Sequence, residues 1–253
     1  MLLRPDGCRL HVEIEGSQGA PPILRLEGMG ADLTGWRRTT PALARELRVI
    51  AVDHRGNGLS DEPPGPCTMA TFVGDALAVL DDAGADRAHV IGLSFGGMVA
   101  QEIALTVPDR LRSLILAGTH AGHAHMVGRP ATVPKGEPWR ARYAPGFPVR
   151  HPGHVAEDLR SDASQPPHPL GSRRQWEAIQ GWSAFERLGE IAAPTLVLHG
   201  AEDQLIPVGN AEVLASRIPR AELLILEGTG HVIDSERPEA VSAAVLDFVR
   251  RHP

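Results

Sequence analysis

The stretch HVIGLSFGGMVAQEIA, His89–Ala104, decides the fold. It begins as a short apolar run that reads as a buried strand and ends as an apolar-periodic run that reads as a helix, with Gly92-Leu93-Ser94-Phe95-Gly96-Gly97 between them. A serine squeezed into a strand-to-helix turn takes a strained backbone, and small neighbours at Gly92 and Gly96 make room for it. Its hydroxyl then projects at the carboxyl end of the strand, where the positive end of the following helix favours developing negative charge.

A hydroxyl is a weak nucleophile at neutral pH, so Ser94 needs a histidine to take its proton and a carboxylate to orient that histidine. Both are found further along. APTLVLHGAEDQLIP reads as a strand followed by a loop with Asp203, and ELLILEGTGHVIDSERP as the next strand followed by a loop with His231. The order Ser94, Asp203, His231, each just beyond a strand, is the order expected when all three sit on loops at the carboxyl edge of one parallel sheet.

Outward from this stretch the same rhythm holds. Strand-like runs at Ile23–Leu26, Val49–Val52, His89–Gly92, Leu114–Ala117, Thr195–His199 and Leu223–Leu226 alternate with helix-period stretches at Thr39–Glu46, Met69–Ala83, Phe95–Val107, Val208–Arg217 and Pro238–Arg251. This alternation predicts an α/β fold, a mostly parallel sheet with helices on both faces. Residues 1–15 read as a hairpin turning at Pro5-Asp6-Gly7. The rhythm stops over residues 122–185, which hold nine prolines and six of the ten Phe, Trp and Tyr residues. That is too long for an ordinary loop. Weak helical stretches at Val155–Arg160 and Ser172–Gln180 predict a small cap inserted there, leaving 1–121 and 186–253 as the core. Trp139, Tyr143, Trp176 and Trp182 are candidates to line an apolar substrate pocket, along with Phe147 and Phe185. The competing use for each is to pack the cap onto the sheet.

The motifs GLSFGG, HGAEDQLIP, EGTGH and DHRGNGLSDEP resemble the α/β-hydrolase superfamily over essentially the whole chain. The likeness implies an eight-stranded, mostly parallel sheet, a serine nucleophile at the GLSFGG elbow, and no cofactor or metal. Within the superfamily the chain looks most like 3-oxoadipate enol-lactonases and small bacterial esterases, through DEPPGPCTMATFVGDALAVLDDAG and IGLSFGGMVAQEIALTVPDRLRSLILAGT. Epoxide hydrolases and haloalkane dehalogenases of this fold carry an aspartate at the elbow, so Ser94 argues against both. The implied activity is hydrolysis of a carboxylic ester or lactone through an acyl-enzyme. A carbon–carbon bond hydrolase, a cofactor-free perhydrolase, a tailoring cyclase and a non-catalytic ligand-binding relative are the alternatives.

The resemblance also assigns ILRLEGMGADL, Ile23–Leu33. Gly28, Gly30 and Asp53 would supply part of a dinucleotide fingerprint, but Leu33 occupies the third glycine position. In the hydrolase family the loop after this strand gives one backbone N–H to the oxyanion hole, which falls on Met29 after Gly28, and Phe95 gives the other. Asp53 then becomes a structural residue of the DHRGNG turn. Where many family members have His-Gly, this chain has Glu27-Gly28. A carboxylate there opposes an oxyanion unless it is protonated, paired or turned away. Arg25, Arg37 and Arg38 are near in sequence, and a polar network behind the loop is the expected setting for Glu27.

Charge and composition bound the rest. A net charge of −6 with interspersed signs offers no basic stripe for nucleic acid and no polybasic anchor for a membrane, leaving a small molecule as the expected partner. Charges at Arg4 and Asp6 interrupt the place of a signal peptide's apolar core, which predicts a cytoplasmic protein; the oligomeric state stays open between monomer and homodimer. Cys8 and Cys67 make neither a disulfide framework nor a metal knuckle. THAGHAH, with His120, His123 and His125, lacks helix-borne metal spacing and reads as a polar cap hinge.

Overall fold

The computed structural model describes residues 1–62, 65–128, 130, 136–165, 168 and 170–253, so part of the expected cap segment and of the DEPP run lies outside the described residues. The strands are β1 (Leu2–Leu3), β2 (Arg9–Leu10), β3 (Val12–Glu15), β4 (Pro22–Leu26), β5 (Arg48–Val52), β6 (Ala88–Leu93), β7 (Leu111–Ala117), β8 (Thr195–Gly200) and β9 (Ala221–Leu226). The helices are α1 (Thr40–Leu43), α2 (Met69–Asp82), α3 (Phe95–Thr106), α4 (Phe147–Arg150), α5 (Pro152–Ser164), α6 (Gly171–Ile179), α7 (Gly209–Arg217), α8 (Ile233–Glu236) and α9 (Pro238–Arg250).

Strands β3 to β9 form one sheet in the order β3-β5-β4-β6-β7-β8-β9, in which only the β3–β5 pair is antiparallel. Among the described residues it has seven strands, where eight were expected. The initial hairpin is a separate ribbon in which Leu2 faces Leu10 and Leu3 faces Arg9, and only β3 continues into the sheet. The ribbon is held elsewhere: Arg4 donates to Asp75 and to the Gly74 carbonyl of α2, and Arg55 reaches Asp6 at 2.7 Å. Those contacts tie it to α2 and turn it away from the sheet's edge.

β6 and β8 are buried along their whole length, and they read as continuous apolar runs for the reason that helices cover both faces. One core layer, with Phe72, Phe95, Val99 and Ile103, lies under α2 and α3; the other, with Leu43, Val245 and Phe248, lies under α1 and α9. Each such side chain contributes on the order of 1.5–3 kcal/mol by leaving water. Helix α2 starts at a reciprocal cap, the Thr68 hydroxyl accepting from the Thr71 N–H and the Thr71 hydroxyl from the Thr68 N–H. Between β7 and β8 the chain leaves the sheet to form α4, α5 and α6. The two ends of that excursion are pinned together by the Gly122–Ser183 bridge and an Ala184 N–H to Ala121 carbonyl bond of 2.9 Å. No helix among the described residues is long and apolar enough to cross a membrane, and Cys8 and Cys67 are both buried and unpaired.

Candidate active site

The turn from β6 into α3 places Ser94 at φ 53 and ψ −114, the one positive φ among the described non-glycine residues. Such a backbone costs roughly 1–3 kcal/mol and persists only where packing dictates it. Here the packing is backbone against backbone. A Cβ at Gly92 would stand 2.2 Å from the Gly96 carbonyl oxygen, and one at Gly96 2.2 Å from that of Leu26 at the end of β4. The Ser94 N–H donates to Ala117, and the Thr119 hydroxyl donates to the Ser94 carbonyl at 2.7 Å.

Across the edge of the sheet, His231 Nδ1 lies 2.7 Å from Asp203 Oδ2. Asp203 follows β8 and His231 follows β9. The other carboxylate oxygen of Asp203 accepts the N–H groups of Leu205 and Ile206 at 2.8 and 2.9 Å. Burial alone would raise this carboxyl, but the charge of His231 and the bonds from His199 and His231 outweigh it and hold Asp203 well below the usual carboxylate range. An ionised Asp203 fixes the imidazole with Nδ1–H toward it and leaves Nε2 as the base.

Ser94 and His231 line one cavity of about 400 Å³, with Gly28, Met29, Leu93 and Leu205 among its other walls. Gly28 abuts the elbow, where an added Cβ would meet Ser94 Cβ at 3.6 Å. The Gly28–Ala31 loop is braced from several sides: Gly30 N–H donates to Gln175 on α6, Asn57 donates to the Ala31 carbonyl, and Asp53 accepts from Leu33 N–H at 2.7 Å. Asp53 also accepts from the Leu59 N–H and is fully buried, so it ties the DHRGNG turn to this loop. The Phe95 ring packs edge-on against Phe72 and His54, at centroid distances of 4.9 and 5.2 Å.

Part of the excursion between β7 and β8 is laid across the acid and histidine loops. The Arg142 carbonyl accepts the N–H groups of His231 and Val232, the Tyr143 carbonyl accepts from Gln204, and Ala144 N–H donates to Glu236. The same Glu236 oxygen accepts from Gly230, the residue before His231, at 2.9 Å. Asp158 on α5 gathers Arg37, Arg38, the Tyr143 hydroxyl and the Ser235 hydroxyl. Arg37 and Arg38 are thereby taken from Glu27, which has Arg25 at 3.5 Å.

The aromatic pocket expected from the sequence is not where those residues lie. None of Trp139, Tyr143, Trp176 and Trp182 lines the cavity that holds Ser94. Tyr143 is fully buried and stacks on Phe147, Trp139 packs beside Tyr143, Trp182 donates to Glu102 on α3, and Trp176 is 44 % exposed against His123. Trp139 and Tyr143 cluster with Val232 and Trp182 packs against the main core, while the cavity walls fall to the β4 loop and to Arg142, Asp162 and Gln165 among others. Of the three histidines of THAGHAH, His120 is buried, accepts from Gly122 N–H and has the His123 ring at 5.7 Å, His123 also meets Trp176, and His125 turns to stack on Phe185.

Sequence reading missed His199, Glu236 and Asp158. His199 is fully buried, with Nε2 at 2.8 Å from the Ile206 carbonyl and 3.3 Å from Asp203 Oδ2, so it braces the acid loop from inside β8. Its signal was available: a histidine in a strand otherwise apolar on both faces must find a partner.

Residues 21–238 match the family model described as alpha/beta hydrolase fold. The putative carbamate hydrolase RutD of Azorhizobium caulinodans is 32% identical, over 94% of this chain and 94% of its own length. The poly(3-hydroxyalkanoate) depolymerase of Ectopseudomonas oleovorans is 32% identical over 93% of this chain and 87% of its own. The enol-lactonase structure from Burkholderia xenovorans LB400 superposes with a TM-score of 0.84 at 28% identity, covering 97% of this chain and 98% of that one.

Proposed function

The chain belongs to the alpha/beta hydrolase family and is a hydrolase, and from that premise we propose that it cleaves a carboxylic ester or lactone with Ser94 as nucleophile. The observation that carries the reading is the strained Ser94 elbow opening into the same cavity as His231, itself paired to a buried, ionised Asp203. The names of the depolymerase and enol-lactonase relatives support the ester and lactone bond as the target.

In this mechanism His231 Nε2 takes the Ser94 proton as the oxygen attacks the carbonyl carbon. The backbone N–H groups of Met29 and Phe95 hold the oxyanion, each such donor being worth about 2.7–4 kcal/mol in the transition state. Asp203 stabilises the imidazolium, which then protonates the leaving alcohol. Water, deprotonated by His231, attacks the acyl-enzyme; the acid leaves and Ser94 regains its proton. A cavity of about 400 Å³ suits short and medium acyl groups.

The test is a panel of p-nitrophenyl esters of increasing chain length, small lactones and an aryl carbamate, run with wild type and Ser94→Ala. Turnover of short esters or lactones that the variant lacks is expected. Equal turnover by the variant, or none by either protein, overturns the reading. Turnover of the carbamate alone would move the substrate to the class named for the RutD relative.

A further inference from the structure

Beside the cavity that holds Ser94 lies a smaller recess of about 50 Å³. The two share walls: Ala31, Asp32, Leu93, Arg142, Asp162 and Val232 line both. Space on that scale takes a few waters or one small polar group. Glu27 lines the recess, is 1% exposed, and has no hydrogen-bond partner on either carboxylate oxygen among the described residues. Arg25, its nearest cation at 3.5 Å, directs its hydrogen bonds to the Leu33 carbonyl and the Thr40 hydroxyl. The cations on the recess walls are engaged as well, Arg37 with Asp158 and Arg142 with Asp162. Asp32, Asp158 and Asp234 are further buried acids on its walls. Burial holds the Glu27 carboxyl well above its ordinary range and pushes Asp234 up to about 6. What the recess offers is an unpaired carboxyl group whose wall cations, Arg37 and Arg142, are already engaged.

Gly35 keeps this space open, since a Cβ at that position would stand 2.8 Å from Glu27 Oε2. The recess is also close to the chemistry, because Gly28, next in the chain after Glu27, abuts Ser94.

We propose that this recess is a specificity subsite that receives a hydrogen-bond-donating end of the substrate, a hydroxyl or an amine, with Glu27 as its acceptor. It rests on the ester or lactone reading above and narrows the substrate class: a terminal methyl leaves the Glu27 oxygens unpaired, and a terminal carboxylate meets Asp32, Asp158 and Asp234 on walls whose own cations, Arg37 and Arg142, are bonded to Asp158 and Asp162. A site built to bond a polar group discriminates far more strongly against its absence than an apolar pocket does against a methylene.

The test measures kcat/KM for p-nitrophenyl esters of three- to six-carbon acyl chains ending in methyl, hydroxyl, ammonium or carboxylate, and for acetate esters of alcohols with the same ends. Uncatalysed rates are subtracted. In at least one series the hydroxyl or ammonium form is expected to exceed its methyl isostere by roughly tenfold or more, and the carboxylate to fall below the methyl by a similar factor. Glu27→Gln is expected to reduce that preference, and Gly35→Ala, which fills the recess from outside the catalytic residues, to abolish it while methyl-ended esters are still turned over. A methyl or carboxylate preference in both series overturns the subsite, as does a donor preference that survives Gly35→Ala. Turnover of no ester by wild type instead overturns the hydrolytic reading on which the subsite rests.

Discussion

Ser94 and His231 stand on the rim of one cavity, but different forces hold them there. The serine is fixed from within the sheet by hard contacts between backbones, Gly92 on Gly96 and Gly96 on Leu26, which allow one conformation. The histidine is fixed by hydrogen bonds, to Asp203 through its ring, to Arg142 of the cap through its own N–H, and through Gly230 to Glu236. Steric exclusion leaves little room for partial failure, whereas a hydrogen-bonded loop loses its geometry by degrees. The serine half should therefore respond to substitution in an all-or-none way and the histidine half in graded steps.

Gly96→Ala tests the serine half and carries the largest expected effect. Its methyl would sit inside the Leu26 carbonyl, and the chain should lose at least about 3 kcal/mol of stability along with its activity. A soluble variant with wild-type melting and activity would show that the elbow is not sterically fixed. Asp203→Asn comes next, on the histidine half. The fold should persist, yet kcat for the preferred ester should fall by about 10⁴, because an amide allows the wrong imidazole tautomer. A loss under tenfold would mean that Asp203 does not orient His231.

His199→Phe should have a smaller effect. It removes one donor from Asp203 Oδ2 and from the Ile206 carbonyl while keeping a ring in β8. Loss of a bond to a charged acceptor costs about 1.5–3 kcal/mol, so a fall in kcat of roughly tenfold is expected. The split between kcat and KM distinguishes positioning from general damage: kcat should fall with KM near its wild-type value and melting little changed. A variant with wild-type kcat, or one that loses kcat only together with its fold, would make His199 merely a packing residue.

The same division explains what could be read from the chain alone. The elbow, Asp203 and His231 were legible because each lies where a strand ends, and the glycines that permit Ser94 are its sequence neighbours. The excursion between β7 and β8 was legible only as a break in rhythm. Trp139, Tyr143, Trp176 and Trp182 look alike in sequence whether they face substrate or seat the cap, and contacts with Glu102, Asp158 and His123 from distant parts of the chain decide between the two. The missing eighth strand has the same origin. Residues 2–10 have strand character, but Asp75 and Gly74 on α2 capture Arg4 and hold the hairpin off the sheet.

Glu236 gives the finest test of the histidine half, through stability. Its carboxyl bridges the N–H groups of Gly230 and Ala144, and burial pushes it up to about 7 from an ordinary value near 4.5. A carboxyl raised in the folded state keeps its proton to higher pH than the unfolded chain does, so it contributes most below the unfolded value. That contribution declines as pH rises from about 4.5 through 7. Glu236→Gln has no such proton to lose. Its melting temperature relative to wild type should therefore climb across that window and level off above it, by a few degrees at most. Two melting curves at each of several pH values suffice to check this. A difference that stays flat with pH would mean that burial does not raise the Glu236 carboxyl.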